Sequence, residues 1–145
     1  MLKGSCLCGG IRYEVRELGP ILNCHCSMCR KAHSAAFRTR APVRTADLVW
    51  ISGYDLLTRY ESSPGQERSF CRVCGSVMVT FRKDNPDSLK LSIGTLDSDP
   101  GRGPECHVFV GSKAPWFEIT DELPQFETWP DDPARHGISS KKSGR

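Results

Sequence analysis

The chain has 145 residues, 38% of them hydrophobic, and a formal net charge of +3, which suits one domain with a single buried core and is too short for two. The apolar share excludes wholesale disorder. No run approaches the roughly 20 apolar residues of a membrane span, and the opening MLKGSCLCGG lacks the apolar stretch of a secretion signal. A cytoplasmic protein with no membrane partner is expected.

Taken in chain order, short stretches alternate apolar and polar residues and are separated by turn residues. Ile11, Tyr13 and Val15 share one face of the first clear strand, bounded by Gly9-Gly10 and Gly19-Pro20. Strands follow at 35–39, 48–52 and 57–61, with one helical turn at 44–47 and a break at Ser62-Ser63-Pro64-Gly65. Val77, Val79 and Phe81 repeat the alternation, as do Leu89, Leu91 and Ile93 after the turn Asp84-Asn85-Pro86-Asp87. The last strands are expected at 107–110 and 116–119, joined by a turn, with Trp116 in the core. No segment has a sustained helical period. The reading is an all-β domain over residues 1–130, built of several small coiled antiparallel sheets around metal sites.

Residues 131–145 are expected to be a basic, flexible extension, since Arg135, Lys141, Lys142 and Arg145 stand in its last part without an acid. Without residues 135–145 the chain carries 16 basic and 17 acidic side chains. That near-neutral body lacks the basic footprint of a nucleic-acid surface, so no nucleic-acid partner is expected.

Seven of the eight cysteines lie in tight groups: Cys6-x-Cys8, Cys24-x-Cys26-x-x-Cys29 and Cys71-x-x-Cys74, with Cys106 apart. In a reduced compartment such thiols serve metal rather than disulfides. Zinc takes soft thiolates in a tetrahedral set, and each close pair supplies half of one. Joining Cys6, Cys8, Cys71 and Cys74 makes a closed, structural Cys₄ site, with Gly9-Gly10 and Gly75 letting the chain turn away. Cys24, Cys26 and Cys29 are one ligand short, which is the form of a catalytic zinc with an open position. Cys106, His25, His33 or His107 could also supply the fourth ligand and close the second site.

Four ordered motifs carry a resemblance: Gly4-Ser5-Cys6-Leu7-Cys8-Gly9, Cys24-His25-Cys26-Ser27-Met28-Cys29-Arg30-Lys31, Phe70-Cys71-Arg72-Val73-Cys74-Gly75-Ser76, and the stretch His107-Val108-Phe109-Val110-Gly111-Ser112-Lys113-Ala114-Pro115-Trp116. Over residues 3–120 the sequence resembles the glutathione-dependent formaldehyde-activating enzyme family, also called the centromere protein V family. The resemblance implies the β fold of methionine sulfoxide reductase B and translationally controlled tumour protein. It implies two Zn²⁺ ions, one structural on Cys6, Cys8, Cys71 and Cys74 and one catalytic on Cys24, Cys26 and Cys29. It also implies carbon–sulfur lyase chemistry on an adduct of glutathione, or another small thiol, with an aldehyde, of the S-hydroxymethylglutathione type. Where the resemblance leads to glycine after the Arg-Lys-x-x stretch, this chain has Ser34.

Around that site, Arg30 and Lys31 are candidates to hold the carboxylates of a glutathione-like substrate, and His33 is the candidate proton shuttle. His25, squeezed between two ligands, is read as pointing away from the metal, and His107 as a hydrogen-bonded core or rim residue. Lys113 and Trp116 are weaker pocket candidates. The competing reading is a non-catalytic module in which zinc only holds the sheets and the protein captures glutathione or a partner.

Overall fold

The structure is a computed structural model that describes residues 1–131. The predicted basic extension therefore lies almost wholly outside the described residues. Ten strands and one α-helix form the framework: β1 (Leu2–Ser5), β2 (Arg12–Val15), β3 (Leu22–Cys24), α1 (Ser27–His33), β4 (Arg38–Arg44), β5 (Leu48–Ser52), β6 (Leu57–Ser63), β7 (Gln66–Cys71), β8 (Val77–Arg82), β9 (Ser88–Ser92) and β10 (His107–Val108). The strands make a three-stranded sheet ordered β1-β2-β5 and a seven-stranded sheet ordered β10-β3-β4-β9-β8-β7-β6. All pairings are antiparallel except β10 with β3, where Val108 lies opposite Cys24. Among the described residues no helix is long and apolar enough to cross a membrane.

The main core lies between the sheets, where Ile11, Tyr13 and Val15 meet Ala41, Val43, Val79, Leu89 and Leu91. Of these, Ile11, Tyr13, Val15, Val79, Leu89 and Leu91 are predicted alternating positions, whereas Ala41 and Val43 lie beyond the strand expected at 35–39; each large aliphatic side chain removed from water contributes roughly 1.5–3 kcal/mol. Gly4 is required by this packing, because a Cβ there would run into the Tyr13 ring. A second apolar cluster gathers Leu22, Cys106, Val108 and Phe109 beside Cys24, Cys26 and Cys29, backed by Phe126 and Trp129.

Several expectations are corrected. The strand expected at 35–39 begins at Arg38 and runs on to Arg44, while the turn of helix expected at 44–47 is present as a 3₁₀ turn over Thr45–Asp47. Ile93 belongs to a 3₁₀ turn, Ile93–Thr95, rather than to β9. Residues 116–119 form no strand, and Trp116 is 71% exposed; Phe117 is the partner that turns inward, against Phe37 and His25. The helix α1 was not expected because seven residues are too few to display a 3.6-residue period. Local bonds make it: the Cys26 sulfur at its N-cap accepts from the Cys29 backbone N–H, and Ser34 closes it in the left-handed conformation at φ 50°, its N–H on the Arg30 carbonyl. That is the position for which the resemblance led to glycine, the residue with least strain there.

Candidate metal centres and the cleft beside them

The turn after β1 carries Cys6 and Cys8, while Cys71 ends β7 and Cys74 lies in the turn from β7 to β8. Backbone bonds shape both turns: Gly9 N–H to the Cys6 carbonyl at 3.0 Å, and Gly75 N–H to the Cys71 carbonyl at 2.7 Å. Both glycines take positive φ, 78° and 79°. The four sulfurs all lie within 4.8 Å of one another, with Cys6 to Cys8 at 3.5 Å and Cys8 to Cys71 at 3.9 Å. Tetrahedral Zn–S bonds of about 2.3 Å would set sulfurs about 3.8 Å apart, so the set fits such an ion. The Ile11 backbone N–H reaches the Cys6 sulfur at 3.3 Å, as donors around metal thiolates do. Hydrogen bonds from the Ser76 hydroxyl and backbone lower Cys74 to about 5, favouring the thiolate that binds metal.

Cys24 ends β3, Cys26 caps α1, and Cys29 lies one turn into that helix, so a strand end and a helix start bring three sulfurs within 4.8 Å. All three are buried. Cys29 is held far below its usual range by hydrogen bonds from Cys24 and Cys26 and by the charges of Arg38 and Arg68. Those hydrogen bonds push Cys24 up. Each of the two cysteine groups could hold a metal ion.

None of the four candidates for a fourth ligand joins the Cys24, Cys26 and Cys29 group among the described residues. Cys106 is buried in the second apolar cluster, where loss of solvation and the neighbouring Glu105 push it up to about 11. His25 and His107 are engaged with each other at 2.8 Å, Nε2 to Nδ1, and the other nitrogen of His107 meets the Asp121 carboxylate at 2.9 Å. His33 follows Cys29 by one helical turn; burial lowers it to about 4, and its buried Nε2 has no partner among the described residues.

Beside the three cysteines is a cleft enclosing about 330 Å³, part of it open to solvent, whose walls include Arg38, Arg40, Arg68 and Lys90. The sheet register puts these four on one face. Lys90 is opposite Thr80, Thr80 opposite Arg68, and Arg40 opposite Ser92, while Leu89, Leu91 and Val79 face the main core. Arg38 donates to the Thr80 hydroxyl at 2.8 Å, and Lys90 to the Gln66 side-chain carbonyl at 2.8 Å. Burial, then the charges of Arg40, Arg38 and Arg82, lower Lys90 to about 6.

Arg30 and Lys31 do not line this cleft. Arg30 donates from Nε to the Ser112 carbonyl at 3.1 Å, and Lys31 is exposed. Lys113 is turned back onto the carbonyls of Ala114 and Phe117. The cations in the cleft were missed by sequence reasoning because a period-two pattern places Arg38, Arg40 and Lys90 on the face away from the core, which ordinarily meets solvent. The signal that could have found them was the repetition Arg38-x-Arg40 close after the cysteine triplet.

The model of the glutathione-dependent formaldehyde-activating enzyme family matches residues 1–112, a span that includes all seven clustered cysteines and all four cleft cations. A Halomonas elongata protein bearing that family's name is 31% identical over 143 residues, covering 91% of this chain and 90% of its own. The crystal structure of a Rhodobacter sphaeroides protein superposes with a TM-score of 0.57 at 31% identity, covering 70% of this chain and 97% of that one.

Proposed function

We propose that this chain, which belongs to the glutathione-dependent formaldehyde-activating enzyme family, adds a thiol to an aldehyde at Cys24, Cys26 and Cys29 and cleaves the same bond in reverse, as a carbon–sulfur lyase. In the forward direction a C–S bond forms at the carbonyl carbon, the C=O double bond becomes single, and the thiol proton ends on that oxygen. No oxidant or reductant is needed. Glutathione and formaldehyde are the substrates to which the family name points.

The observation that carries the reading is a three-sulfur group beside a cleft, set against a four-sulfur group that is complete in itself. Zinc fits both groups, and at the three-sulfur group it would supply a Lewis acid with one coordination position for the incoming sulfur. Cys6, Cys8, Cys71 and Cys74 then hold the structural ion that ties the amino-terminal turn to β7 and β8. Arg68, which donates to the Cys29 sulfur at 3.5 Å, and buried Arg38 stabilise negative charge on sulfur. His33, one turn of α1 beyond Cys29, is assigned to pass the thiol proton on rather than hold it, because the burial that keeps it neutral disfavours its charged form. Arg30 and Lys31, outside the cleft, are assigned to the distal carboxylate of a peptide-sized thiol.

Native mass spectrometry of the zinc-loaded chain, with and without reduced glutathione, tests this reading. Two zincs and one glutathione are expected, with Cys24→Ser losing one zinc and the glutathione together. Proton NMR then follows formaldehyde conversion against the uncatalysed background. Glutathione bound without conversion above background would make the protein a binding module, and two zincs indifferent to glutathione would remove it as the thiol.

A further inference from the structure

We infer that the cleft beside Cys24, Cys26 and Cys29 is an oxyanion subsite that seats a carboxylate carried by the substrate close to its reacting sulfur or carbonyl carbon. Its cations are built into the sheet rather than scattered on a surface. Arg38 and Arg40 are 2% and 4% exposed and Lys90 is 6% exposed. No aspartate or glutamate lines the cleft to answer them.

Their hydrogen-bonding capacity is also incompletely used. Arg38 Nε, Arg40 Nη2 and Arg68 Nη1 are each buried and have no hydrogen-bond partner among the described residues. Buried donors in folded proteins are almost always paired, so three such atoms on one cleft point to a ligand that accepts from them. A planar guanidinium matches the two oxygens of a carboxylate.

Charge leads the same way. Three thiolates around a dication carry one negative charge, which falls short of balancing three guanidiniums. A neutral aldehyde and a neutral thiol would leave both the charge and the donors unanswered.

What the carboxylate is attached to rests on the thiol–aldehyde reading; the subsite itself rests on the cations. Calorimetry on the zinc-loaded full chain compares 3-mercaptopropionate with 2-mercaptoethanol. Turnover of glyoxylate is compared with that of formaldehyde, 2-mercaptoethanol being the thiol in both. The carboxylate-bearing member of one pair is expected to be favoured by about tenfold or more. Acetate should compete with it, and Arg40→Gln or Arg68→Gln should reduce the preference to about threefold or less. The first pair reports a carboxylate on the thiol, the second one on the aldehyde. The acetate competition needs no variant, and zinc count with circular dichroism shows which variants have folded. Equal treatment of both members in both pairs, with thiols still binding, would overturn the subsite and leave the proposed function standing. Acetate bound one per chain, and lost in the variants, in a protein that takes up no thiol would keep the subsite and overturn the function.

Discussion

Arg68 on β7 aims Nη2 at the sulfur of Cys29 on α1, 3.5 Å away across 39 residues of sequence. The contact fastens the seven-stranded sheet to the helix that carries the cysteine and sets a fixed positive charge against the most acidic thiol of its group. Partners of metal ligands commonly govern metal affinity by 10–100-fold. Arg68→Met is therefore expected to weaken zinc binding at Cys24, Cys26 and Cys29 by roughly 10-fold or more while Cys6, Cys8, Cys71 and Cys74 keep theirs. Competition with a chelator measures both sites, and unchanged affinity at the triplet would make the contact incidental.

The complete cysteine group joins a turn near the amino terminus to one in the middle of the chain. A metal held there would be coupled to folding, because the unfolded chain does not hold these thiols together. Cys71→Ser, at a fully buried position, is expected to cost on the order of several kcal/mol and to lower Tm more than Cys24→Ser does. Thermal scans beside zinc analysis decide this, and equal losses would deny the two groups their separate roles.

Cys106 is the one cysteine outside both groups. Burial keeps its thiol protonated up to about 11, which makes it a poor ligand. Cys106→Ala should retain two zincs per chain and lose only about 1 kcal/mol of packing. A protein with one zinc would show that Cys106 completes the second site.

Lys90 gives a pH signature. Burial and the charges of Arg40, Arg38 and Arg82 lower its pKa from the ordinary 10.5 of a lysine to about 6; Gln66 on β7 accepts from its amine, and Arg68 lines the same cleft. Between those two values the unfolded chain holds a proton that the folded one has released, so native stability rises with pH across this window. Lys90→Met removes the cost of burying the amine. The variant is expected to be more stable by about 1–4 kcal/mol near neutrality, with the advantage shrinking toward about pH 10. Paired Tm curves would show it, and an advantage that ignores pH would contradict the assignment.

Ser34 occupies a left-handed conformation at φ 50° that costs a side-chain-bearing residue about 1 kcal/mol. Ser34→Gly is expected to raise stability by roughly 0.5–1 kcal/mol and to sharpen the end of α1. A lower Tm would mean that the serine side chain contributes more than its backbone strain costs.

The cysteine groups that could hold metal were legible in the sequence because their chemistry is nearly local. Cys6-x-Cys8, Cys71-x-x-Cys74 and Cys24-x-Cys26-x-x-Cys29 are close enough along the chain for a turn, or a turn and one helical cap, to converge their sulfurs. The core of the sheets was legible for a related reason: Ile11, Tyr13, Val15, Val79, Leu89 and Leu91 alternate with polar neighbours, and alternation is how a strand displays a buried face.

The fate of the opposite face is not written in that pattern. A period of two separates Leu89 and Leu91 from Lys90, but it does not say whether Lys90 meets water or another element. Only the packing of the sheet beside the turn that carries Cys24, Cys26 and Cys29 buries Arg38, Arg40 and Lys90 in one cleft. The exchange of Phe117 for Trp116 in the interior belongs to the same class, since adjacent residues on an irregular segment compete for one space and only the finished surroundings choose between them.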